Sequence, residues 1–316
     1  MRNAFAEAVT EQAARDERVM LLSGDIGNRL FDQFKAGFPE RFINCGVAEA
    51  NMTGMAAGLA LSGMRPVTYT ITPFVTTRCL EQIKVDICYH EAPVVIVGTG
   101  AGLSYASLGA THHSLDDIAL LRVFPGMKVV CPCDTHEVRA AVRAALEQES
   151  PVYIRLGKKG EPSVHESPPE FTLGRAITLR SGTDVCILGT GNIVPTALEA
   201  ADRLESEGVS TRVVSFHTVK PLDEGTLTEA FASFPLVVTV EEHGLAGGFG
   251  SAVAEWLVDR RDAGAARLLR IGAADLYLHE AGGQSHARGL YGLVGDQIAA
   301  RAREAYRAAV AEPARA

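Results

Sequence analysis

Residues 42–64, FINCGVAEANMTGMAAGLALSGM, run from Phe42 to Met64 between Arg41 and Arg65 and carry one charged side chain, Glu49. The remainder is small and apolar, and its pattern predicts a helix over 48–62. Burying an unpaired carboxylate costs several kcal/mol unless it is protonated or hydrogen-bonded. A carboxylate near a helix start also complements the macrodipole. Position alone therefore leaves Glu49 open between a helix-start role and chemistry.

On either side of this stretch, short β-rich runs alternate with helical ones. Strands are predicted at Val19–Leu22, Arg65–Tyr69, Val94–Gly98, Lys128–Cys131 and Val152–Leu156. Helices are predicted over 48–62, 76–90, 116–122 and 135–148, and an amphipathic surface helix over the N-terminus from Phe5, Ala8, Val9 and Gln12. Such alternation marks a parallel sheet with helices on both faces. A polar Gly/Pro-containing segment, GKKGEPSVHESPPE from Gly157 to Glu170, reads as a linker. The alternation then resumes with strands at Val185–Leu188, Arg212–Ser215, Leu236–Val240 and Leu268–Ile271. Helices are predicted at 194–206, 225–232, 250–259 and near 296–310. The expected architecture is α/β with two doubly wound domains, 1–160 and 172–316, joined through 157–171.

The chain has 316 residues, 47% of them hydrophobic, with a formal net charge of −8. That is enough apolar material for full cores. The acidic balance argues against nucleic acid or an anionic membrane as the main partner. The N-terminus has no apolar signal-peptide core, and residues 50–64 are too short and polar to span a bilayer. A soluble, cytoplasmic protein is expected. The six cysteines match no zinc spacing, and Cys131-Pro-Cys133 is not CxxC, so buried thiols are expected and no metal ligand set is assigned.

Three glycine clusters fall short of a dinucleotide fingerprint. Gly98-Thr99-Gly100 is followed by Leu103 where GxGxxG needs glycine. Gly189-Thr190-Gly191 meets Val194, and Gly244, Gly247, Gly248 and Gly250 are wrongly spaced. Thr111-His112-His113 lies in a loop between a strand and a helix, where α/β proteins place function. The segment before it, GTGAGLSYASLGA, is uncharged. A histidine there is open to metal binding, to a surface or helix-capping role, and to general acid/base work or substrate contact, though no Asp, Glu or Cys ligand lies near at a known spacing.

With these pieces in place, the run CGVAEANMTGMAAGLALSG resembles the pyrimidine-binding domain of transketolases and 1-deoxyxylulose-5-phosphate synthases. SGDIG at 23–27, PFVTTRCLEQI at 73–83 and GATHHSLDDIALLR at 109–122 agree with it. VKPLDE at 219–224 and EEHGLAGGFGS at 241–251 resemble the synthase's C-terminal domain. The resemblance covers nearly the whole chain, in order. What these enzymes carry in addition is a domain holding the diphosphate and Mg²⁺ through Gly-Asp-Gly and a later Asn. Here Gly24-Asp25-Ile26 and Asn51 match only superficially, because Asn51 falls two residues after the Glu of the other domain type. The resemblance thus implies the C-terminal subunit of a split transketolase, dependent on thiamine diphosphate and on Mg²⁺ held by a partner N-terminal subunit. It implies a dimer of heterodimers acting on sugars or sugar phosphates.

The resemblance also assigns roles. Glu49 would hydrogen-bond N1′ of the aminopyrimidine and carry a proton near neutral pH, for which a buried carboxyl with a raised pKa is suited. Asp25 and Ile26 would line the cofactor between subunits, and Phe74 would pack on the pyrimidine ring. His112 would contact the donor substrate and help proton transfer, and Arg155 would bind a sugar phosphate. The family's acid just before Thr-His is missing: residues 92–115 contain no acid, and Leu108 sits near that place. A phosphate-contacting histidine is replaced near Gly100, with Ser104, Tyr105 or Ser107 as stand-ins. Altered donor or acceptor choice follows as an expectation, with a modified sugar as substrate. The alternatives are a synthase-like decarboxylating condensation of pyruvate with an aldehyde, a 2-oxoacid dehydrogenase beta-type subunit, and a non-catalytic scaffold subunit. DDIALLR and VKPLDE favour the first of these, or ketol transfer, over the dehydrogenase.

Overall fold

The computed structural model describes residues 1–158, 160–260, 264 and 266–311. Its first six strands are β1 (Val19–Ser23), β2 (Phe42–Asn44), β3 (Arg65–Ile71), β4 (Val95–Thr99), β5 (Lys128–Val130) and β6 (Val152–Leu156). Six more follow: β7 (Ile177–Arg180), β8 (Val185–Thr190), β9 (Thr211–Ser215), β10 (Thr218–Lys220), β11 (Leu236–Gly244) and β12 (Arg267–Ala273). The helices of the first half are α1 (Arg2–Arg15), α2 (Asp32–Gly37), α3 (Glu49–Leu61), α4 (Thr72–Val75), α5 (Leu80–Gln82), α6 (Asp117–Arg122) and α7 (Thr135–Leu146). Those of the second are α8 (Val194–Ser206), α9 (Glu224–Ser233), α10 (Phe249–Asp259), α11 (Gln284–Leu290) and α12 (Gly295–Ala311).

The strands form a seven-stranded sheet, β10-β5-β6-β4-β3-β1-β2, and a five-stranded sheet, β12-β11-β8-β9-β7. Pairing is parallel except for β10 on β5 and β7 on β9. β1, β4, β6 and β8 are buried along their whole length. This is the condition of a parallel strand covered on both faces. Side chains alternate between the two faces: Leu21, Val95 and Val97 join the cluster under α1 and α7, while Leu22 and Ile96 join the one that includes Met52 and Ala56 of α3. That second cluster continues without a break through Leu188, Phe216, Phe231 and Trp256, so the two halves share a core.

The predicted α/β alternation is the one observed, with four differences. The short edge strand β2 and the two antiparallel strands β7 and β10 carry too few residues for a periodic signal. β10 follows the linker in sequence yet completes the first sheet, so the sheets do not divide at 157–171. The helix predicted over 76–90 is a broken run: α4, a 3₁₀ turn at Thr77–Cys79, α5 and a π-helical turn at Ile83–Cys88. Thr72 Oγ1 donates to Thr99 O (3.1 Å) and Thr76 Oγ1 to Thr72 O (2.7 Å). Such side-chain bonds compete with the regular helical ladder. Finally, α2 and α11 are further short helices that the periodicity missed.

α3 ends in a Schellman arrangement. Gly63 adopts φ +93°, its N–H reaches Ala60 O (3.0 Å), and Met64 N–H reaches Leu59 O (3.0 Å). Among the described residues no helix is long and apolar enough to cross a membrane. The loops after β1, β3 and β4 leave the carboxyl edge of the first sheet together, and α3 follows β2 at that same edge, which is where open α/β sheets gather ligands.

Candidate active site

Glu49 is the first residue of α3 and only 3% exposed. Gly46, at φ +66°, turns the chain from β2 toward the helix. The carboxylate lies beside Gly24 in the loop after β1. A Cβ on Gly24 would stand 2.8 Å from Thr70 Oγ1, so the close packing against β3 favours glycine, and 3.6 Å from Glu49 Oε1, an ordinary contact. Glu49 Oε2 accepts from Arg78 Nη1 at 2.6 Å. Arg78 is the cation that local sequence could not place beside Glu49, because 29 residues separate them. Its guanidinium also sits 4.3 Å from the Phe74 ring centroid, so one exposed arginine covers both predicted cofactor contacts.

Phe74, half-buried in α4, meets the His112 ring edge-on at 5.2 Å. His112 meets Tyr105 at 6.2 Å, and Lys158 Nζ stands 4.6 Å over the Tyr105 ring. The predicted Glu49, Phe74 and His112 thus fall on one continuous line of contacts, Glu49–Arg78–Phe74–His112–Tyr105–Lys158. Burial lowers the His112 pKa, and the neighbouring His113 lowers it further. A neutral imidazole with Thr111 Oγ1 2.9 Å from Nδ1 is placed to take or give a proton. A carboxylate, a phenyl ring and an imidazole along one line of contacts suit a flat heteroaromatic with a protonatable ring nitrogen.

Of the other predicted residues, Asp25 and Ile26 lie in the loop after β1 and Ser107 in the loop after β4. Asp25 is exposed and accepts from Asn44 Nδ2 at 3.3 Å, and Ile26 lines a cavity of about 200 Å³ with Arg2, Gly27, Leu30, Phe31 and Tyr69. Among the described residues Arg2 Nε has no hydrogen-bond partner. Ser107 is exposed on the one-turn helix Ala106–Leu108. Ser104 instead faces the second half, accepting from Asn192 Nδ2 at 3.2 Å.

Arg155 needs correction as a phosphate ligand. It is 2% exposed, its Nε donates to Asp117 Oδ2 (2.7 Å), and its Nη2 donates to Ser114 O (3.0 Å) and Glu242 O (2.9 Å). A phosphate would have to break the buried Arg155–Asp117 ion pair, and the bond to Glu242 O across the two halves, to reach it. The strand-end position suggested access, but the second half covers it. Lys158, three residues on, stands instead over the Tyr105 ring at the end of the contact line.

Around this pair lie two further buried ionisable groups. Burial pushes Glu241 up to about 7 against the pull of the Gly250 and Phe249 N–H donors. Burial takes His243 down to about 4 although Asp117 opposes it. The raised Glu241 contributes stability below its unfolded value of about 4.5, lost as pH rises toward 7. The depressed His243 contributes stability above about 6.5, lost as pH falls toward 4. Glu241→Gln removes the first dependence only. Denaturant unfolding at pH 5 and pH 8 should show the variant gaining on the wild type at the higher pH, by on the order of 2–3 kcal/mol. An offset equal at both pH values would reject the assignment.

Cys133, Glu137 and His165 place ligand-type atoms within 4.8 Å of one another. Both Glu137 oxygens already accept hydrogen bonds, Oε2 from Cys133 N–H (2.7 Å) and Oε1 from Ser215 Oγ (2.8 Å). His165 Nε2 lies 3.1 Å from the same Oε1, and Asp134 Oδ2 accepts from Val164 and His165 N–H. The cluster is a clasp binding the linker to both halves.

Residues 1–161 match the family described as transketolase, pyrimidine binding domain, and residues 174–298 match transketolase, C-terminal domain. The chain is 39% identical over 258 residues to an apulose-4-phosphate transketolase subunit of Phocaeicola vulgatus, covering 81% of this chain and 83% of that one. It is 36% identical over 305 residues to a 6-deoxy-6-sulfo-D-fructose transketolase subunit of a Clostridium species, covering 96% and 94%. A solved split gene transketolase, described as an inactive beta4 tetramer, superposes with a TM-score of 0.89 at 37% identity, covering 97% of this chain and 98% of that one.

Proposed function

The chain belongs to the transketolase family, with its pyrimidine-binding domain followed by its C-terminal domain, and from that premise we propose that it is the C-terminal catalytic subunit of a two-chain transketolase. It would move a two-carbon ketol unit from a ketose to an aldose or aldehyde acceptor. Thiamine diphosphate supplies the carbanion chemistry when bound. The observation that carries the reading is the contact line from buried Glu49 through Phe74 to His112.

In this reading Glu49 holds a proton at N1′ of the aminopyrimidine, and Phe74 offers its ring to the pyrimidine face. The Glu49–Arg78 ion pair opens as the pyrimidine enters. Asp25 and Ile26 line the cofactor from the loop after β1. His112, neutral at physiological pH, exchanges a proton with the donor's hydroxyl, and Ser107 lies at the substrate rim. The names of the two relatives give their sugars a phosphate or a sulfonate. We assign this chain a ketose with a similar anionic tail, read by Lys158 over Tyr105 and by Arg2, whose Nε has no partner among the described residues.

Mg²⁺ and the diphosphate would be held by a partner N-terminal subunit of about 250–300 residues carrying Gly-Asp-Gly and a later Asn. Val47 just before α3, Met55 on it, and Val85 and Tyr89 in and just after the neighbouring helical run leave exposed apolar surface, which supports docking of another chain near Glu49. Two heterodimers paired by a two-fold axis would complete the assembly. Calorimetric titration of thiamine diphosphate with Mg²⁺ into each subunit and into the mixture tests this. Binding should appear only in the mixture. Tight binding by this chain alone would reject the split site, and turnover with pyruvate in place of a ketose would favour the synthase-like reaction.

A further inference from the structure

We propose that Glu242, in the second half of the chain, is a positioning residue that sets the 103–113 loop and thereby His112; the inference rests on His112 acting in the active site as read above. The loop leaves β4 and returns through a two-way bridge, Gly102 N–H to Ser114 O (3.1 Å) and Ser114 N–H to Gly102 O (2.9 Å). Between these ends it has no carboxylate of its own, and Gly100, Gly102 and Gly109 all hold positive φ. Little in the loop's own composition fixes one conformation.

Glu242 supplies the anchor. Its Oε1 accepts from the buried Leu103 N–H at 2.6 Å. A Cβ on Gly102 would fall 2.3 Å from the same oxygen, so glycine is required there by space as well as by its φ of +63°. The carboxylate is itself held by Gln284 Nε2, 3.0 Å from Oε1 and 3.2 Å from Oε2, and by Arg288 Nε. Arg288 Nη2 in turn donates to Asn192 O (3.1 Å). The end of β11, the turn before α8, and α11 therefore converge on one amide of the loop.

The anchor reaches His112 through short turns. Ala106 N–H bonds Leu103 O (2.9 Å), Gly109 N–H bonds Ala106 O (3.2 Å), and His112 N–H bonds Gly109 O (3.0 Å). A displacement at Leu103 is carried to the imidazole. Sub-ångström misplacement of a reacting group lowers turnover without loss of the group itself.

The test uses the assembled two-subunit enzyme with thiamine diphosphate and Mg²⁺. Glu242→Ala, Glu242→Gln and His112→Ala are compared by kcat, KM, melting temperature and hydrogen exchange over 103–113. Glu242→Ala should speed exchange of the loop amides selectively and lower kcat about 10–100-fold. Glu242→Gln, whose amide oxygen still accepts from Leu103 while its NH2 group meets Arg288, should restore both in part. Unchanged loop exchange and kcat in Glu242→Ala would overturn the proposal, as would a Gln variant no better than Ala. So would a loss that tracks melting temperature alone and is recovered on cooling. If His112→Ala keeps full activity while Glu242→Ala loosens the loop, the role given to His112 fails and the positioning stands. If His112→Ala is inactive while Glu242→Ala is normal, the reverse holds.

Discussion

Glu49→Gln should lower kcat for ketol transfer by roughly 10²–10⁴-fold in the assembled enzyme, with fold and assembly intact. Glutamine keeps the shape and one acceptor but cannot exchange a proton with a ring nitrogen. The substitution also removes the pair with Arg78, whose side chain is 43% exposed. Water takes up the freed guanidinium, so the stability cost stays within about 1 kcal/mol. Steady-state turnover, gel filtration with the partner and thermal melting separate the outcomes. Unchanged turnover would remove Glu49 from the chemistry. Intact assembly with collapsed turnover would remove the reading of this chain as a scaffold.

Asp117→Ala should destabilise the chain by about 3–5 kcal/mol, because it strands a buried cation. Asp117 accepts from Arg155 Nε (2.7 Å) and Tyr153 Oη (2.6 Å), and both ionic partners are out of solvent. Burial alone would raise its pKa, but Arg155, His243 and these hydrogen bonds outweigh it and leave Asp117 lowered. Its contribution is therefore present above the ordinary carboxylate range and lost as pH falls through that range. Denaturant unfolding measures the loss. The double variant Asp117→Leu/Arg155→Met should recover much of it, since no unpaired charge remains. A single-variant loss below about 1 kcal/mol would mean that water reaches the pair in solution.

Much of the architecture was legible in the sequence. β6 matches its predicted bounds, α3 lies within 48–62, and α8 runs over Val194–Ser206 as predicted. These elements are long enough, and buried enough, for local composition to report them. The edge strands β2 and β10 have three residues each and are specified by a neighbour's hydrogen bonds. The broken helix after β3 was not legible because threonine side chains, bonding backbone within their own turn and on β4, decide it.

The candidate site divides in the same way. Phe74 came from the family resemblance, while Glu49 and His112 could be nominated because each sits in a short stretch with its own signal, a lone carboxylate and a histidine in an uncharged loop. Arg78, Lys158 and Glu242 could not, since their meaning lies in partners 29, 53 and 139 residues away, counted from Glu49–Arg78, Tyr105–Lys158 and Leu103–Glu242. Arg155 was misplaced for the same reason. A strand-end arginine reads as open until the second sheet lays Glu242 and His243 across it. The sequence by itself determined the longer strands and helices and which end of the sheet bears the unusual side chains, because burial and turn formation are local in their demands. Which charges pair, and hence that Lys158 stands over Tyr105 while Arg155 is buried in an ion pair, was decided only when the two sheets packed, because Coulomb and desolvation energies depend on distances that the order of residues does not contain.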